Sequence, residues 1–274
     1  MVPRRGHAAK SVERYPTGRR GETTRACSTA GQEKGLRITA ENVLLIIPTY
    51  NEAENISALL ADIERIVPAI HVLVVDDNSE DRTGDVVEHL AKLHCGGWHV
   101  LRRAGKLGLG TAYIAGFQWA LERDYQAVIE MDADFSHDPH HLPQIICQLN
   151  AYDMVIGSRY VRGGGTRNWS LVRRLISWGG CGYARVILGL PIADPTGGFN
   201  GLRRQVLDAL NLESIKSEGY AFQIELKYRV YRQGFDLREI PITFWERRVG
   251  KSKMSWRIFL EAVGRVWALR WSRS

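Results

Sequence analysis

The sequence lacks any run approaching the ~18 consecutive apolar residues that a spanning helix needs, which excludes an integral membrane protein. Its first residues are polar and carry no apolar leader segment, which excludes a classical signal peptide. Cysteine is scarce. Cys27, Cys95, Cys147 and Cys181 lie far apart, without zinc-ligand spacing or a disulfide framework, and favour a reducing compartment. There is no internal repeat. With 27 Gly and 9 Pro in 274 residues, the chain is neither collagenous nor disordered throughout. A chain this long buries roughly 75% of its unfolded surface, so its core needs no disulfides or structural metal. One domain with appendages is the simplest count.

The net charge of +7 is unevenly spread. Residues 1–40 hold nine basic and three acidic side chains, whereas residues 41–158 hold seven basic and eighteen acidic ones. Residues 159–185 hold six Arg and no acid, and residues 241–274 hold eight basic and two acidic side chains. An acidic first half is thus followed by basic blocks suited to anionic lipid, a phosphorylated substrate or nucleic acid. Residues 1–40, rich in Arg, Gly, Ser and Thr, read as a basic, disordered tail.

From Asn42 the pattern becomes regular. Short apolar runs at 43–47, 70–75, 98–102, 127–131 and 154–157 read as buried parallel strands. Helical periodicity falls between them at 54–66, 81–93, up to Leu121 and at 142–149. Alternation of this kind predicts an α/β fold with a mostly parallel central sheet flanked by helices. Further helices are expected at 169–188, 220–231 and 256–271, with an extended segment over 235–244. In parallel sheets ligands sit at the carboxyl ends of strands, and the polar clusters of this chain follow Ile47, Val75, Met131 and Gly157.

Asp132-Ala133-Asp134 is the strongest signal. Two carboxylates spaced i, i+2 at a strand end are hard oxygen ligands for Mg²⁺ or Mn²⁺, which also accepts diphosphate oxygens. The alternative is a solvated turn, with Asp138-Pro139 capping the next helix. Pro48, Tyr50 and Glu52 follow the first strand, where Tyr50 offers a flat face for a base and Glu52 a hydrogen-bond acceptor; Asn51 as a helix cap is the alternative. Val75, Asp76 and Asp77 end the second strand, where a carboxylate can hold a ribose or a base, or else cap the helix at Asp81. Lys106 offers charge beside Gly108 and Gly110, whose spacing fits neither a P-loop nor a dinucleotide fingerprint.

IPTYNEAENI, VVDDNSEDRTGD, GKLGLGTAY, EMDADFSHDP, VIGSRY, DPTGGF and GKSKM occur in one order across residues 43–254. In this the chain closely resembles the polyprenol-phosphate (dolichol-phosphate) mannosyltransferases of glycosyltransferase family two. The resemblance implies a GT-A fold and inverting transfer of mannose from GDP-mannose to a polyprenyl monophosphate. It implies a GT-A catalytic domain at 41–245 and a basic loop with a membrane-facing amphipathic helix at 246–274. It places Pro48, Tyr50, Glu52, Val75, Asp77 and Lys106 at the donor. It gives Asp132, Ala133 and Asp134 to the diphosphate and metal, with Asp134 the main ligand, and Ser136 where some relatives place a Gln ligand. Asp132, Asp134 and Arg159 become the catalytic candidates. Arg159, Arg247 and Lys253 fall around the donor and acceptor phosphates.

The residues support that acceptor on chemical grounds. A sugar hydroxyl needs a general base, whereas a phosphate monoester, with a second pKa near ~6, is already anionic near pH 7 and needs cations to position it. Arg173 and Arg174, beside Leu171, Val172, Leu175, Ile176 and Trp178, suit a helix lying at a lipid surface over that phosphate. The expected location is peripheral, on the cytoplasmic face of a membrane, with a membrane-anchoring partner protein as an option and no nucleic acid. The alternatives are a UDP-sugar donor or a soluble acceptor on the same fold, and a non-catalytic scaffold of a membrane glycosylation complex.

Overall fold

The computed structural model describes residues 37–94, 96–246 and 256–271. The expected tail lies mostly outside these residues. β1 (Val43–Thr49) and β2 (His71–Asp76) pair in parallel, linked by α1 (Ala53–Ile66). The helix buries Ile56, Leu59, Leu60 and Ile63, the stripe that its 3–4 spacing dictates. α2 (Thr83–Leu93) leads to β3 (Trp98–Arg102), and α3 (Leu109–Leu121) to β4 (Ala127–Glu130). α4 (Leu142–Gln148) precedes β5 (Met154–Ser158). Val43 to Ile47 are fully buried: β1 is an interior strand between β2 and β4, and its alternating side chains are covered on both faces of the sheet. A strand covered on both sides requires an unbroken apolar run rather than alternation.

The second half carries β6 (Gly165–Arg167), α5 (Leu171–Leu188), β7 (Asn200–Arg203), α6 (Arg204–Ala209) and α7 (Gly219–Arg232). β8 (Leu237–Pro241), β9 (Thr243–Trp245) and α8 (Trp256–Trp271) follow. The seven-stranded sheet has the order β3-β2-β1-β4-β7-β5-β8, and β6 pairs with β9 in a separate ribbon. Every pairing is parallel except those of β7, which runs antiparallel to both β4 and β5. The expected single extended segment at 235–244 is two strands. Pro241 has no N–H to continue the ladder, and past it the chain leaves the main sheet to join β6.

The expectation for cysteine is corrected at one position: Cys147 is disulfide-bonded, while Cys181 is free and buried.

Candidate active site

The register sets the polar strand ends level. Pro48 lies beside Val75 and Thr49 beside Asp76, so the loops after β1 and β2 leave together. They are then laced to each other. Thr49 Oγ1 donates to Asp76 at 3.1 Å, the Asn51 amide to Ser79 Oγ at 3.0 Å, and the Glu80 amide to Asn51 Oδ1 at 2.9 Å. The Ala53 amide donates to Asp81 at 2.9 Å, so an acid from the second loop serves the first turn of α1. Asn51 and Asn78 both take a left-handed φ, at 59° and 58°, a conformation that Asn tolerates better than most residues. Glu52 accepts from Asn55 Nδ2 at 2.8 Å.

Asp77 is buried. Burial pushes its carboxyl above the usual carboxylate range, opposed by Arg103 at 3.2 Å and the Leu107 amide at 3.2 Å. Lys106 lies 4.1 Å from the centre of the Tyr50 ring, so these two candidates share one place. The glycines beside Lys106 have an internal use. Gly108 sits at φ 103°, facing the Glu218 carboxylate, and a Cβ on Gly110 would stand 2.6 Å from the Ser217 carbonyl oxygen. The Gly110 amide donates to Glu218 at 3.2 Å.

The Asp132–Ser136 turn follows β4. Asp132 is half-buried and accepts from Tyr113 Oη at 3.4 Å; burial, and then this carboxylate, raise the Tyr113 hydroxyl well above its ordinary pKa. Asp134 is buried and accepts the Ser136 amide at 3.0 Å. Ala133 between them is buried. Asp138 caps the following turn by accepting the His140 amide at 3.0 Å, so the capping role falls to Asp138 rather than to the Asp132/Asp134 pair. Among the described residues no group of three or more His, Cys, Asp and Glu side chains forms a metal cage. The set nevertheless fits a hard cation that draws its remaining oxygens from a diphosphate and water. Ser136 Oγ is fully buried without a hydrogen-bond partner, an orphaned hard oxygen beside Asp134.

Arg159 leaves the end of β5 as a buried cation. Its amide, Nε and Nη2 donate to Asp194 at 3.0, 2.7 and 2.6 Å, and Nη2 also to Thr196 at 2.7 Å. Burial pushes the Asp194 carboxyl up, but Arg159 more than offsets this and holds it below the usual range. Sequence reading missed this partner. It also missed a buried polar group behind the site. Asn200 Nδ2 donates to Glu130 at 2.6 Å and to Gln223 at 2.7 Å, while Lys227 Nζ donates to the Gly197 carbonyl at 2.5 Å. Burial raises the Glu130 carboxyl to about 7 and lowers the Lys227 ammonium to about 8. The available signal was Glu225 and Lys227 in the middle of α7, where residues 222–228 are buried without a break and charge requires an internal partner.

Arg173 and Arg174 stand on the first turn of α5. Arg173 pairs with Glu246 at 3.0 Å and lies 4.2 Å from the Trp169 ring centre. Trp169 packs edge-on to Phe244, and Phe244 edge-on to His137, so rings connect α5 to the Asp132–Ser136 turn. Around the arginines, Leu171, Val172, Leu175 and Trp178 are 65–73% exposed. α5 packs against α8, where Val266 and Leu269 face inward and Trp267 and Trp271 outward. No described helix is long and apolar enough to cross a membrane. Arg247 and Lys253 lie outside the described residues.

The family model for glycosyl transferase family 2 matches residues 44–210. The chain belongs to glycosyl transferase family 2. It is therefore a glycosyltransferase. It is 43% identical over 88% of its length to the polyprenol monophosphomannose synthase of Mycolicibacterium smegmatis, covering 92% of that protein. It is 48% identical over 84% of its length to the undecaprenyl-phosphate mannosyltransferase of Micrococcus luteus, covering 96% of that chain. Among solved structures it resembles glucosyl-3-phosphoglycerate synthase from Mycobacterium tuberculosis in complex with Mn²⁺, UDP-glucose and phosphoglyceric acid. That match has a TM-score of 0.63 at 18% identity, over 84% of this chain and 80% of that one. The likeness is one of fold, and the fold is GT-A.

Proposed function

We propose that this glycosyltransferase moves mannose from GDP-mannose to a polyprenyl monophosphate, with inversion at the anomeric carbon, while resting on a membrane surface. The observation that carries the reading is α5. It sets Arg174, exposed, and Arg173, half-buried against Trp169 and Glu246, among the exposed Leu171, Val172, Leu175 and Trp178, and the Trp169, Phe244 and His137 rings in contact join this turn of α5 to the Asp132–Ser136 turn. An acceptor with a charged head and an apolar tail needs this combination, and a soluble sugar does not. The names of the relatives at 43–48% identity support the same acceptor class.

In this reading Tyr50, Glu52, Asp77 and Lys106, with Pro48 and Val75 beneath them, take the nucleoside end of the donor. Asp134, with Asp132 and Ser136, would hold Mg²⁺ or Mn²⁺. The ion would supply Lewis-acid charge at the diphosphate. The acceptor phosphate oxygen attacks the anomeric carbon in line as the bond to the GDP oxygen breaks. No general base is required, because the phosphate is already ionised near pH 7. Arg159 is neutralised by Asp194, which occupies its fork, so it contributes the fixed N–H groups of Nη1 rather than net charge. Nε and Nη2 are taken, and Nη1 faces the remaining role of orienting an oxygen. Arg247 and Lys253 complete the proposed phosphate contacts.

The test is purified protein with GDP-[¹⁴C]mannose or UDP-[¹⁴C]glucose, a panel of polyprenyl phosphates and phosphoglyceric acid, and Mg²⁺ or Mn²⁺. Label should enter the organic phase only with GDP-mannose and a polyprenyl phosphate, and not with Asp134→Ala. Label transferred from UDP-glucose to a water-soluble acceptor would replace this reading.

A further inference from the structure

His137 is not among the groups assigned to donor, acceptor or metal, yet it is fully enclosed at 1% exposure. Its Nδ1 accepts the backbone N–H of Asp132 at 3.1 Å, closing the turn from the first carboxylate to a residue five positions on. Because an N–H donates to it, Nδ1 carries no proton and the ring proton sits on Nε2. The ring stacks on Phe199 at 4.9 Å between centres, and meets Phe244 edge-on at 5.4 Å. Phe199 ends the turn that holds Asp194, and Phe244 lies on β9, so one imidazole touches three separate segments. Backbone bonds repeat the pattern: the Trp245 amide donates to the Ser136 carbonyl at 3.0 Å.

The turn that His137 closes is strained. Phe135, between Asp134 and Ser136, has φ 62°, a left-handed conformation in which a bulky side chain is a genuine outlier. Such a residue persists only where its surroundings over-determine it. Burial of the Phe135 ring and hydrogen bonds along the turn do so here: Ser136 N–H to Asp134 Oδ1 at 3.0 Å, Trp245 N–H to the Ser136 carbonyl at 3.0 Å, and Asp132 N–H to His137 Nδ1 at 3.1 Å, the bond that spans the whole turn. If that spanning bond is removed, Phe135 can return to a right-handed φ.

We propose that His137 is a positioning residue that holds the Asp132–Ser136 turn in its strained, cation-ready shape through Nδ1. This rests on the reading of Asp134 and Asp132 as cation ligands. It acts on the ligands from outside, in the way that outer-shell partners set the affinity of a metal site.

The test exploits the geometry of the two amides. The Asn oxygen can reach the position of Nδ1, whereas the Gln oxygen reaches that of Nε2. Mn²⁺ titrations followed by electron paramagnetic resonance, with and without saturating GDP, would compare wild type with His137→Asn, His137→Gln, His137→Leu and Asp134→Ala. Expected are near wild-type Mn²⁺ affinity for His137→Asn and about tenfold weaker binding for His137→Gln and His137→Leu. Thermal denaturation without metal separates this from loss of fold. Should His137→Leu fail to fold, the Asn and Gln variants still decide. Equal Mn²⁺ affinity in those two overturns the proposal, even if Asp134→Ala abolishes binding and so upholds the metal site. Wild-type protein that binds no Mn²⁺, or binds it equally well as Asp134→Ala, overturns both.

Discussion

Asp194→Asn changes one oxygen to an amide and should cost a large part of the protein's stability. The carboxylate is completely buried and takes three N–H bonds from Arg159, itself only 6% exposed. With Asn in its place, the guanidinium keeps a full charge, loses its counter-charge and faces an NH₂ that cannot accept. Breaking a buried pair by removing one partner costs ~3–5 kcal/mol. For a chain of this size each kcal/mol shifts Tm by ~2–4 °C, so the midpoint should drop by about 6–20 °C. Arg159 and burial also fix the sign with pH. The Asp194 carboxyl is held below its ordinary 3.8, so its stabilisation is present above that pH and is lost as pH falls through the lower, native value. The Asn variant should therefore lose its deficit in strong acid. Urea unfolding at several pH values, followed by the fluorescence of the 8 tryptophans, reads both effects. A loss below ~1 kcal/mol at pH 7 would refute the account. A double variant, Arg159→Met with Asp194→Leu, removes both charges and should recover most of the stability. If transfer returns with it, the pair is structural alone; if transfer stays lost, Arg159 has the role proposed for it.

Three further outcomes are expected. Burial raises the Glu130 carboxyl from its ordinary 4.5 to about 7, so the native state binds protons more tightly and stability falls as pH rises between those values; urea midpoints of wild type against Glu130→Gln should diverge across that window, and parallel curves would contradict it. Gly110→Ala should destabilise by ~1–3 kcal/mol despite alanine's better helix propensity, because its Cβ meets the Ser217 carbonyl oxygen; a raised Tm would show that the contact is soft. Arg173→Glu with Arg174→Glu should weaken sedimentation with anionic liposomes, and wild-type binding should fall as salt rises from 0.1 to 1 M and the Debye length drops from ~10 to ~3 Å; wild-type protein that ignores such liposomes at every salt concentration would point to a separate anchoring protein.

β1, β2, β4 and β5 were legible because each is a buried apolar run closed by a polar cluster, and the register then sets Thr49 beside Asp76 without further instruction; the expectation of a buried strand at 98–102 is corrected, since β3 is the edge strand and its Trp98–Leu101 are only half-buried. β7 was not legible. Asn-Gly-Leu-Arg has one apolar side chain in four residues, and it is a strand only because β4 and β5 flank it with ladders of hydrogen bonds. The carboxylate pair, Tyr50 and Asp77 were legible as acids and rings at strand ends. Arg103 beside Asp77, Asp194 around Arg159, and Lys227 beneath Gly197 were not, since partners 26, 35 and 30 residues apart meet only through the fold. Composition indicated that residues 159–185 are basic; it gave no sign that the first of those arginines is buried and neutralised while Arg174 is exposed.

The reversed strand β7 has a consequence for synthesis. β4 gains its second neighbour only from β7, and β5 lies beside β7 and β8 alone. A growing chain that has reached Ser158 can therefore assemble β3-β2-β1-β4, but the outer edge of β4 stays bare and β5 has nothing to pair with. Arg203 ends β7 about 45 residues later, roughly 2–9 s at ~5–20 residues per second. Throughout that interval Ala-Val-Ile-Glu presents unpaired N–H and C=O groups beside apolar side chains, a template for another chain. Fragments that stop between Ser158 and Arg203 should accumulate as aggregates rather than as a smaller folded unit, and the nascent protein depends on being shielded until its odd strand arrives.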